Sequence, residues 1–156
     1  MPNLFQKILV PHDFSEHATR ALRLATDLAA RHRGRLLVLH AITPFTPVSA
    51  FPAAEEMVWI PPADLVANER RRLDALVKRA LKGRVRADVR VIVGDPFQQI
   101  VAASRGTTLI VMATAGRTGL SHLLIGSVAE KVVRHAPVPV LTLRPGTPRA
   151  RRRSRK

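Results

Sequence analysis

The chain contains no cysteine, no tyrosine and a single tryptophan. The lack of cysteine excludes disulfides, thiol chemistry and cysteine-ligated metals. Aromatic residues make up only 4%. Arginine runs without stacking rings suit unspecific phosphate contact and not sequence reading on nucleic acid. Acidic residues are scarce too, 11 against 26 basic ones, for a formal net charge of +15. Six of the basic residues crowd the last eight positions (Arg149, Arg151, Arg152, Arg153, Arg155, Lys156), yet the body keeps 20 against 11. Such a field attracts nucleic acid, anionic lipid and nucleotides without selecting among them. Long hydrophobic runs are missing. None approaches the roughly 20 residues that span a bilayer, so no membrane partner is expected. Ile8-Leu-Val-Pro11 is too short for a signal-peptide core and acidic Asp13 follows closely. The expectation is a soluble cytoplasmic protein.

What is present fits one domain with a real core: 156 residues, 46% of them hydrophobic. Lys7 to Val10 reads as a short apolar strand ending at Pro11. A helix follows from about Ser15 to His32, with Ala18, Leu22, Ala25 and Ala29 on one face and Gly34 as its stop. Leu36 to His40 is a second strand. Residues 43–62 carry five prolines and read as a loop, a lid or partner surface on one reading and a variable insertion on the other. Ala63 to Lys82 is a long helix with Val66, Leu73, Val77 and Ala80 inward and Gly83 as its stop; its outer Arg70, Arg71, Arg72, Lys78 and Arg79 read as a solvated face. Val89 to Val93 is strand three. Asp95-Pro96 opens a helix, aspartate capping and proline at the first helical position. Leu109 to Met112 is strand four, Val128 to His135 the last helix and Val138 to Leu143 strand five. Pro137 and Pro139 mark that last strand as an edge. Past Arg144, prolines and glycine break structure. The domain is therefore expected over 1–145, with a basic, disordered tail over 146–156.

Strands alternating with helices predict an α/β fold: a single doubly wound domain, a parallel sheet with helices on both faces. Ligands in such sheets bind outside the strand carboxyl ends at the topological switch point. The loops that qualify are Pro11 to Ser15, the region near His40-Ala41, and Ala113 to Ser127. In the last of these, Gly116, Gly119 and Gly126 stand between an apolar strand and a helix. Bare backbone there lets an anion approach, and a helix N-terminus supplies unsatisfied N–H groups and a positive dipole end. The loop thus reads as a nucleotide-phosphate cradle.

Within it, Ala113-x2-Gly116-x9-Gly126-Ser127 resembles the adenine-nucleotide motif of the universal stress protein family, Gly-x2-Gly-x9-Gly-Ser/Thr. Gly116-Arg-Thr-Gly-Leu, Gly126-Ser-Val-Ala-Glu-Lys-Val-Val, Pro137-Val-Pro-Val-Leu and Ile8-Leu-Val-Pro-His-Asp-Phe-Ser-Glu match as well, so the resemblance covers roughly residues 5–145. It implies a five-stranded sheet of order 3-2-1-4-5 and an adenine-nucleotide regulatory module of the stress response. The ligand would be ATP, or AMP or ADP, with Mg²⁺ accompanying a triphosphate. It also implies that Asp13 recognises the base, that Pro11 and Ala41 line the base pocket, and that Ser127 meets the phosphates. Met112, Ala113, Gly116, Gly126 and Val128 would contact ribose and phosphate through their backbones, and strand 138–143 would form a homodimer.

Two positions depart from the motif. Its first glycine is Ala113, and Ala115 stands where nucleotide-binding members often carry histidine. If Ala113 needs φ > 0, alanine is disfavoured by roughly 1 kcal/mol or more; if φ is negative, only a methyl group is added beside the ligand. Both remain open at the sequence level. So do two capping boxes, Asp13-x-x-Glu16 and Ser127-x-x-Glu130.

Support for catalysis is thin. There is no Gly-x4-Gly-Lys-Ser/Thr loop and no Gly-x-Gly-x-x-Gly after strand one. The six histidines show no metal-ligand spacing, and His12 and Asp13, adjacent on an extended segment, point apart. The chain is expected not to be an enzyme, slow hydrolysis of bound ATP aside. Two rival readings stand beside the nucleotide one. The first is a nucleotide-free interaction module of the same fold. The second is unspecific association with nucleic acid through the basic tail.

Overall fold

The computed structural model describes residues 3–44, 61–114 and 126–144. Within them, five strands alternate with four helices: β1 Lys7–Pro11, α1 Glu16–Arg31, β2 Arg35–Ile42, α2 Ala63–Leu81, β3 Ala87–Val93, α3 Pro96–Ser104, β4 Leu109–Ala113, α4 Ser127–His135 and β5 Val140–Leu143. The strands form one sheet in the order β3-β2-β1-β4-β5. Every pairing is parallel, with Leu9 opposite Leu37 and Ile110, Val38 opposite Val89, and Ile110 opposite Val140. The expected order 3-2-1-4-5 is the observed one.

The near-continuous apolar strands are explained by burial on both faces. Alternate residues Ile8, Val10, Leu36, Val38, Leu109 and Val111 pack with α1 and α2. Their neighbours Leu9, Leu37, Leu39, Ile110 and Met112 pack with α3 and α4. Ile8, Leu9 and Leu36 are fully buried, each contributing about 1.5–3 kcal/mol through removal from water. Helix α1 presents Ala18, Ala21, Ala25 and Ala29 to the sheet, small side chains that let it lie close.

Several local expectations need correction. Helix α1 is capped by Ser15, whose Oγ accepts the Ala18 N–H at 3.0 Å. Asp13 does not cap it. Its Oδ1 accepts the Ser15 N–H instead, also at 3.0 Å, a local turn that the Asp13-x-x-Glu16 spacing does not reveal. At the other end of α1 the left-handed residue is Arg33, with φ 55°. Gly34 follows it and closes the helix, its N–H on the Ala29 carbonyl at 2.9 Å, and it must be glycine because a Cβ there would meet the Phe5 carbonyl oxygen at 1.9 Å. The Ser127-x-x-Glu130 box is absent as well. Gly126 is the N-cap of α4, with no side-chain capping bond, and Glu130 pairs with Arg134 at 3.0 Å. Strand β5 begins at Val140 and not at Val138, since Pro139 can offer only its carbonyl, which accepts from Ile110 at 3.0 Å. As expected, β5 is an edge strand, and Asp95 caps α3 through the Gln98 N–H at 2.9 Å.

Most of the proline-rich loop, with Gly116, Ala115, Gly119 and the basic tail, lies outside the described residues. Among those described, no helix is long and apolar enough to cross a membrane.

Candidate functional site

The carboxyl ends of β1, β2 and β4 open into one cleft of about 1080 Å³. Strands β2 and β4 leave β1 in different directions in the sheet order, so the crevice sits at the switch point where such folds take ligands. Eight of the nine residues singled out from sequence line it: Pro11, Asp13, Ala41, Met112, Ala113, Gly126, Ser127 and Val128. The ninth, Gly116, lies outside the described residues. Distant stretches of chain thus meet because three parallel strands end side by side.

On one wall stands the N-terminus of α4. Gly126 donates its N–H to the Thr114 carbonyl at 2.7 Å. A Cβ on Gly126 would lie 3.0 Å from that same oxygen, so the close approach, and not a positive φ, is what favours glycine here. Thr114 is itself tied to β5, its N–H and Oγ1 both donating to the Leu143 carbonyl at 2.9 and 3.1 Å. Ser127 is the first residue of α4 and is exposed. Gly126 to Ala129, the start of α4, border the cleft, and a helix N-terminus offers an anion unsatisfied N–H donors and a positive dipole end. Ala113 is the last residue of β4, paired with Leu143, and its φ is not positive. The alanine therefore adds a methyl group without straining the backbone. Met112 is buried with the core under α3 and α4.

The opposite wall joins the anticipated Pro11–Ser15 loop and His40-Ala41 to two residues not anticipated from sequence, Glu69 and Arg72. His12 is buried, and its Nδ1 accepts the Phe14 N–H at 3.1 Å. That bond leaves the ring proton on Nε2, which lies 3.3 Å from Thr19 Oγ1; the threonine in turn donates to the Ser15 carbonyl at 3.0 Å. Burial lowers the His12 pKa to about 4, with Asp13 acting against the shift and His40 adding to it. His40 Nδ1 donates to the His12 carbonyl at 2.8 Å. Phe14 takes up a left-handed conformation, φ 66°, unfavourable for a bulky residue. Its ring is held edge-to-face against His40 at 4.7 Å, and the Arg72 guanidinium sits 4.0 Å above it. Glu69 completes the wall. Its Oε1 lies 3.6 Å from Arg72 and its Oε2 lies 4.0 Å from His40 Nε2. Shielded from solvent, Glu69 Oε2 has no hydrogen-bond partner among the described residues.

Arg72 was hidden in what reads as a solvated helix face and Glu69 was not singled out at all, because helical spacing alone does not say which turn of α2 overhangs the strand ends. His12 carried a signal in its position next to Asp13, and its role is structural: it ties the β1–α1 turn together. Among the described residues no group of three His, Asp or Glu side chains is placed to hold a metal ion.

The sequence model described as the universal stress protein family matches residues 4–144. A universal stress protein of Thermus aquaticus is 38% identical over 143 residues, covering 90% of this chain and 100% of the relative. The solved universal stress protein UspA of Lactobacillus plantarum superposes with a TM-score of 0.67 at 25% identity, covering 90% of this chain and 98% of that one. The same fold recurs in the universal stress protein of Archaeoglobus fulgidus solved in complex with dAMP, at TM-score 0.62 and 21% identity over 90% of this chain and 98% of that one. With the sheet order, the cleft and the family's sequence pattern coinciding over the same residues, this chain belongs to the universal stress protein family.

Proposed function

We propose that this protein is an adenine-nucleotide-binding regulator of the cytoplasmic stress response, holding ATP, or AMP or ADP, in the cleft. The observation that carries the reading is the convergence of Pro11, Asp13 and Ala41 with Ala113, Gly126, Ser127 and Val128 on one crevice. The residues fit such a group. Ser127 and the first N–H groups of α4 would take the phosphates, and Mg²⁺ would accompany a triphosphate. The apolar surfaces of Pro11 and Ala41 would flank the base, with Asp13 beside it. Gly126 lets the chain turn tightly beside Thr114, and Ala113 adds no backbone strain.

The chain acts by binding and not by catalysis in this reading. Bound ligand changes the population of loop or dimer states, which requires different affinity for the two. The dimer would form through the β5 edges, where Leu141 is exposed.

The test is calorimetric titration of ATP and AMP into the chain cut after Pro148, repeated with Ala113→Gly. Without the arginine-rich tail, saturable binding must come from the cleft. Binding by the shortened chain is the expected result. Binding only after Ala113→Gly would mark a site closed by one methyl group. No binding by either would leave an interaction protein of the same fold.

A further inference from the structure

We infer that Glu69 is the acceptor for the exocyclic amine of the bound base and thereby sets the specificity of the cleft; the inference rests on the nucleotide reading above. Glu69 Oε2 is shielded from water without a hydrogen-bond partner among the described residues, a costly state for a carboxylate oxygen unless a ligand supplies a donor. His40 Nε2 is 4.0 Å from it, beyond hydrogen-bond reach. The other nitrogen of that ring already donates to the His12 carbonyl. Oε1 is drawn towards Arg72 at 3.6 Å, so the two carboxylate oxygens are not equivalent. One is turned to the guanidinium, the other inward.

The placement of Glu69 fits a base and not a phosphate. Helix α2 packs on the sheet face shared with α1, whereas α4 packs on the other face with α3. The cleft therefore has the Glu69–Arg72 pair on its α2 wall, a second carboxylate, Asp13, beyond the end of β1, and a positive helix end on its α4 wall. A nucleotide is polar along its length in the matching sense. Its phosphates fit the α4 end, and reversing it would set them against Glu69. Between the walls, Pro11, Leu39, Ala41 and Leu65 offer apolar surface to a flat ring. Ribose hydroxyls lie between base and phosphates, nearer the middle of the cleft. The donor that reaches the α2 end is the amine on the base.

The experiment compares ATP with purine riboside triphosphate, identical except for the missing amine, titrated into the full chain at fixed salt. Wild type is expected to prefer ATP by about tenfold or more, the effect of one charge-assisted hydrogen bond. Glu69→Leu should weaken ATP and leave the analogue unchanged, so that the preference falls to about one. Glu69→Gln, which keeps a neutral acceptor, should retain part of it and decides the matter if the leucine variant fails to fold. An ATP preference undiminished in both variants would overturn the assignment, as would equal weakening of the two ligands. Wild-type binding of ATP without preference removes Glu69 from base reading and leaves the nucleotide reading standing. Wild-type binding of neither ligand overturns both.

Discussion

Gly126 hands its N–H to the Thr114 carbonyl at 2.7 Å, and the oxygen it reaches lies 3.0 Å from where a Cβ on Gly126 would stand. Strand β4 and helix α4 are pinned together there, at the edge of the cleft. Gly126→Ala should push the two backbones apart by a few tenths of an ångström. We expect a loss of about 1–2 kcal/mol in urea unfolding and weaker ATP binding. Unchanged stability and binding together would refute the pinning role.

Two serines at two helix starts should behave differently. Ser15 caps α1 through the Ala18 N–H, and Ser15→Ala should cost about 1 kcal/mol. Ser127 makes no cap bond. Its replacement by alanine should change stability by less than about 0.5 kcal/mol while lowering ATP affinity. Thermal melts and a titration of both variants check the pair.

Ala113 sits in a strand with φ that is not positive. Glycine there removes no strain and adds unfolded-state entropy, so Ala113→Gly should destabilise the fold by about 0.5–1 kcal/mol. A stabilised variant in chemical denaturation would contradict the strand geometry.

His12 makes stability depend on pH. Its ordinary pKa of 6.5 falls to about 4 in the folded protein. Above pH 6.5 both folded and unfolded states hold it neutral, and its contribution to stability is complete. Between 6.5 and 4 the unfolded chain takes up a proton that the folded chain refuses, so stability drops as pH falls. The loss across that window is on the order of 3 kcal/mol. Comparing urea unfolding of wild type and His12→Gln at pH 7 and 4.5 isolates this share from that of the carboxylates. Equal pH slopes in the two proteins would show that His12 is not responsible.

If two copies pair through β5, the exposed Leu141 (39% accessible) is central to the contact. Leu141→Asp should then yield a folded monomer. Sedimentation shows the assembly state and circular dichroism the fold. A Leu141→Asp protein that sediments like wild type would remove β5 from the interface.

The sequence by itself determined the α/β class, the parallel sheet and the edge position of the last strand. Each follows from local properties: apolar runs bounded by turn residues, helical spacing between them, and prolines that cannot donate at Pro137 and Pro139. It also marked most of the cleft, since the glycine spacing and the residues after strands one and two carry the family's pattern. Only the tertiary structure decided what those residues do. Ser127 has the spacing of a cap and is not one, because Gly126 takes the capping position. Gly34 does close its helix, its N–H on the Ala29 carbonyl at 2.9 Å, but what demands glycine there is backbone contact with Phe5. Arg72 reads as part of a solvated helix face and Glu69 carries no signal, yet the packing of α2 on β3 and α1 brings them to Phe14 and His40. Periodicity records which side of a helix is apolar. It holds no information about which neighbour the polar side meets, and that was decided by how the helices pack over the strand ends.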